Sequence, residues 1–92
     1  MNTQAAKELV EIEVRRLQQL PYAELVALLS EVGTKELQGT DGKLYQLEVQ
    51  AFWDSVDGGD LKVIVSADDG GLRAFFPLTN GFTVRPDGTL VD

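Results

Sequence analysis

Two spacings of apolar residues divide the chain. From Ala5 to Leu20, the residues Ala6, Leu9, Val10, Val14, Leu17 and Leu20 recur at helical spacing and mark one buried stripe. Ile12 falls off that stripe, while Glu13 falls on it, three residues before Arg16 and within reach of an ion pair. The stretch LPYAELVALLSEVG predicts a second helix. Pro21 suits a first helical position, Glu24 the first turn, and Gly33 a left-handed stop.

Past Gly33 the pattern alternates. Tyr45, Leu47, Val49, Ala51 and Trp53 share one face of a strand, and Leu44, Gln46, Glu48, Gln50 and Phe52 share the other. Leu61, Val63, Val65 and Ala67 alternate in the same way, as do Leu72, Ala74, Phe76 and Leu78, then Phe82 and Val84, and finally Leu90. Such alternation marks antiparallel strands with one face toward a core.

Turn chemistry sets the expected pairing, because opposed residues must share a face. Asp69-Gly70 suits a tight hairpin turn, which sets Ala67 opposite Leu72, Val65 opposite Ala74 and Val63 opposite Phe76. Thr40-Asp41-Gly42 sets Leu37 opposite Tyr45, and Pro86-Asp87-Gly88 sets Val84 opposite Leu90, with glycine left-handed in both. A loop from Thr79 to Gly81 pairs Leu78 with Phe82. The expected fold is α+β: two N-terminal helices packed on one face of a five- to six-stranded antiparallel meander sheet. One domain spans 1–92, with a helical segment at 1–33 and a sheet at 34–92.

Composition narrows the chemistry. Neither cysteine nor histidine occurs, which excludes disulfides, thiolate chemistry, Ser-His and Cys-His nucleophile pairs, and the commonest metal ligand. A net charge of −7 argues against nucleic acid or an anionic membrane as partner. No apolar run is long enough for a membrane span and the start resembles no secretory signal, so a cytoplasmic location is expected. All eight Asp lie at position 41 or later, where turns are expected, whereas six of seven Glu lie within the first 36 residues, where helices are expected. Turn and helix preference therefore account for much of the charge.

In the meander, Asp41, Asp68, Asp69 and Asp87 are expected at one rim, and Asp54, Asp57 and Asp60 at the other. Clustered carboxylates suit Ca²⁺, but DSVDGGD lacks the acid spacing of an EF-hand loop, and hairpin turns explain these residues more simply. Acid–base catalysis by paired carboxylates would need a raised pKa in a cleft, whereas these acids occupy solvated turns. Glu48 lies on the outer sheet face, in a row with Ser66 and Arg73. The glycines form no phosphate-binding motif. No catalytic residue, metal ligand or cofactor is expected.

The outer sheet face is the stronger candidate. Phe52, Ile64 and Phe75 are expected to project there beside Arg73, with Ile64 next to Phe75, and contiguous exposed apolar groups mark contact surfaces. The run GTDGKLYQLEVQAFWD, followed by DDGG, PL and PDG, resembles a group of small bacterial proteins classed only as domains of unknown function. The resemblance implies a small bacterial α+β domain and carries over no catalytic residues. The expected function is a non-catalytic protein-interaction or accessory module, acting on a protein partner or by self-association through the outer face or an acidic rim. The alternative is an acidic inhibitor or immunity-type protein that neutralises a basic toxin or nuclease by charge complementarity. Salt would separate these two, because steering by charge is screened and apolar contact is not.

Overall fold

The apolar stripe at the start of the chain forms helix α1, Thr3–Gln18, in a computed structural model that describes residues 2–70 and 78–91. Asn2 caps it, its side chain accepting a hydrogen bond from the Ala5 N–H at 3.1 Å. The helix closes with a tightened turn, Leu20 N–H to Leu17 O, because Pro21 is extended and supplies no N–H. Pro21 then caps a short helix, α2, Tyr22–Val26, which tightens into a 3₁₀ turn at Ala27–Leu29. The second helix is therefore shorter than expected. Gly33 does not provide a left-handed stop. It opens the first strand instead, and positive φ among the described glycines is confined to Gly42, Gly58, Gly70 and Gly88.

Among the described residues five antiparallel strands follow: β1 Gly33–Gln38, β2 Leu44–Trp53, β3 Leu61–Asp68, β4 Leu78–Val84 and β5 Leu90–Val91. They lie in chain order in one sheet, a meander. Leu37 opposes Tyr45, and Val84 opposes Leu90, as the two glycine-closed loops require. Gly42 and Gly88 take φ of 81° and 89°, and in each turn the glycine N–H returns to the residue before the loop, Gly39 or Arg85.

One expected pairing is overturned. Ala67 faces Leu78 rather than Leu72, Val65 faces Asn80 rather than Ala74, and Val63 faces Phe82 rather than Phe76. Residues 78–84 form one continuous strand, so no loop forms at Thr79–Gly81 and Leu78 does not pair with Phe82. Leu72, Ala74 and Phe76 lie outside the described residues. The physical reason is that period-two alternation fixes the face but not the register: any shift by an even number of residues keeps the core face inward.

Both helices cover one face of the sheet. α1 lies across β3 and β4, while α2 and the 3₁₀ turn lie against β3 and β2. Ala5, Ala6, Leu9, Val10, Val14 and Leu17 meet Tyr45, Leu47, Val49, Ala51, Leu61, Val63, Val65, Ala67 and Val84 in the core, with Trp53 and Phe82 packed at its margin. The alternating residues of β2 and β3 thus point inward as their sequence predicts. Ile12, off the stripe, remains 59% exposed.

Candidate interaction surface

The second face of the sheet bears no helix among the described residues. Its side chains stand in rows set by the register. Phe52 is followed by Lys62, Thr83 and Val91; Gln50 by Ile64 and Gly81; Glu48 by Ser66 and Thr79. Phe52 is half exposed, and Ile64 sits diagonally beside it. Ile64 leans over Gly81: a Cβ built at that glycine would lie 3.0 Å from Ile64 Cδ1 and would collide with the Val63 carbonyl oxygen. Glycine at that position is what lets Ile64 lie flat on the sheet. The place expected for Phe75 beside Ile64 is therefore held by Gly81, and the place expected for Arg73 beside Ser66 is held by Thr79. Phe75 and Arg73 themselves lie outside the described residues.

Toward β1 the same face turns acidic. Thr34, Glu36, Gln46, Glu48 and Asp68 line a shallow groove of about 340 Å³, floored by Lys35 and Leu47. Glu36 opposes Gln46, Gln46 opposes Asp68, and Glu48 lies diagonal to both acids. Asp68 spends one carboxylate oxygen on the Gly70 N–H, at 2.8 Å. The strand alternation places Glu36 and Glu48 on one surface, and only the β1–β2 and β2–β3 registers together reveal that Asp68 joins them.

The expected acidic rim is divided. Asp41 and Asp68 lie at one end of the sheet, where β2 begins and β3 ends, with Asp69 next in the chain. Asp87 lies at the opposite end, in the β4–β5 turn, with the loop that carries Asp54, Asp57 and Asp60. This reversal follows from the single strand at 78–84, which removes one change of direction. Asp41 accepts the Tyr45 hydroxyl at 2.6 Å, which leads in holding its carboxyl below the usual value, with the Lys43 N–H assisting. Asp87 is likewise held down by the Thr89 hydroxyl and then by the Thr89 N–H, at 2.6 and 2.9 Å. These carboxylates fasten their own turns. Among the described residues, no group of three or more acidic side chains is placed to hold a metal ion.

One acid is buried. Glu13 is 2% exposed, accepts both Nε and Nη2 of Arg16 at 2.9 Å, and meets Lys35 Nζ at 2.7 Å. The Arg16 guanidinium, ahead of the Lys35 ammonium, holds the carboxyl below its ordinary value against the opposing pull of burial. A carboxylate so stabilised is a weak base, and its effect is to tie β1 to α1. Arg16 was legible as a partner from its spacing. Lys35 follows from the register that puts Leu37 on the core face, since Lys35 shares that face.

No described helix is long and apolar enough to cross a membrane. No family model, curated protein or solved structure matches this chain.

Proposed function

We propose that the chain is a non-catalytic protein-interaction module whose working surface is the outer face of its sheet. The supporting observation is an asymmetry. Both helices pack on one face, while the other presents the half-exposed Phe52 beside Ile64 and, farther along β2 and β3 and on β1, the carboxylates of Glu48, Asp68 and Glu36. Apolar groups beside acids that pair with no cation among the described residues form a contact surface for a partner that is apolar at one end and basic at the other. The acidic-inhibitor reading draws on the same groove and on the net charge of −7. In that reading the acids dominate and Phe52 is peripheral.

Affinity capture of the tagged chain from cells that express it, at low and high salt, tests the proposal. The wild type and Ile12→Asp, changed on the helical side, should retain the same stoichiometric partner, and Phe52→Asp should lose it. Retention by Phe52→Asp would contradict the outer-face reading. Loss of the wild-type partner at high salt alone would favour the inhibitor.

A further inference from the structure

The edge strand β1 extends this reading, and the inference rests on it. The bond from Gly39 N–H to Lys43 O marks a hydrogen-bonded pair, so ladder alternation turns the backbone groups of Gly33, Lys35 and Leu37 toward β2. Thr34, Glu36 and Gln38 therefore turn their N–H and C=O groups away from the sheet. No strand follows β1 on that side among the described residues, and all three residues are exposed. At the far side, the outward N–H of Gly81 is capped by Asn80 Oδ1 at 2.8 Å, and Thr83 pairs with Val91. β1 has no such cover among the described residues.

The charges on β1 say which strand fits. An antiparallel second copy meets like charges in the registers that use most of the strand. Matching Gly33 to Leu37 sets Lys35 against Lys35, and matching Thr34 to Gln38 sets Glu36 against Glu36. An inward lysine on an edge also guards against such self-pairing. A strand from another protein avoids both conflicts when it carries a basic residue opposite Glu36 and an uncharged one opposite Lys35. Its basic side chains then lie on the same face as Glu36 and Glu48, at the mouth of the groove that Asp68 closes.

We propose that β1 is an addition site for an extended segment of a different protein, basic on the face it shares with Glu36 and apolar on the other. The segment continues the sheet through main-chain hydrogen bonds to Thr34, Glu36 and Gln38, and the acidic groove selects its charge.

Three capped peptides test this by NMR titration: Lys-Val-Lys-Val-Lys-Val-Lys, its counterpart with Glu for Lys, and the lysine peptide methylated on its lysine backbone nitrogens. The lysine peptide should bind with Kd below about 1 mM and slow amide exchange at Thr34, Glu36 and Gln38, and the other two should bind at least about tenfold more weakly. Glu36→Lys should weaken the lysine peptide similarly. Equal binding by the methylated peptide, or no slowing at those three amides, would overturn the proposal. The outer-face reading is judged separately by Phe52→Asp, so the two can fail independently.

Discussion

The two faces of one sheet obey opposite rules. On the inner face every central position of β2 and β3 is apolar and enclosed, and the one buried acid among the described residues, Glu13 on the covering helix α1, is matched by two cations. On the outer face the same strands alternate to Gln46, Glu48, Gln50, Phe52, Lys62 and Ile64, with acids that meet no cation across the strand registers and an aromatic ring half in water. The inner face specifies the fold. The solvent-facing side chains of the outer face, unlike Gly81 beneath Ile64, can vary with little cost to the core, and a binding function can be placed there.

That contrast predicts an ordered series of substitutions. The largest effect belongs to the inner face: Leu47→Ala, at a position with no exposure, should lower unfolding free energy by about 2–5 kcal/mol in urea denaturation. Next comes an outer-face position that breaks the simple contrast. Gly81→Ala should cost about 1–3 kcal/mol, because the new Cβ meets the rigid Val63 carbonyl as well as Ile64. A loss as small as that of an ordinary surface substitution would show that Gly81 does not approach the Val63 carbonyl and Ile64 this closely.

Glu13→Gln should be smaller, roughly 1–2 kcal/mol near neutral pH, because Arg16 and Lys35 are partly exposed and regain water. Its pH dependence has a definite sign. The folded pKa of Glu13 lies below its unfolded value, so its contribution is complete above the unfolded value and is lost as pH falls through the folded one. The gap between wild type and Glu13→Gln should therefore close in acid. A gap that stays constant with pH would mean that the ion pairs do not stabilise the carboxylate. The smallest effect should be Phe52→Asp, within about 0.5 kcal/mol of wild type, since half of that ring is already in water.

Much of this arrangement could be read from the chain. Alternation placed Tyr45, Leu47, Val49, Val63 and Val65 inward, and the left-handed demand of Gly42 and Gly88 set two registers directly. The pairing of β3 was lost for a physical reason. Asp69-Gly70 followed by an alternating run satisfies a tight hairpin, yet the partner register is displaced by six residues, from Leu72 to Leu78, and an even displacement leaves the faces unchanged. Asn80-Gly81 read as a turn because the strand interior seldom holds such residues. Here Gly81 makes room for Ile64, and Asn80 covers the outward Gly81 N–H. The outer-face acids were visible singly, but their shared groove depends on three strands in register.

Carboxyl footprinting with a carbodiimide label, on the chain alone and with its captured partner, addresses the outer face most directly. The account predicts that labelling falls at Glu36, Glu48 and Asp68 and is unchanged at Asp57 in the β2–β3 loop and Glu11 on α1. Protection confined to Asp57 or Glu11, with the groove acids still labelled, would contradict it.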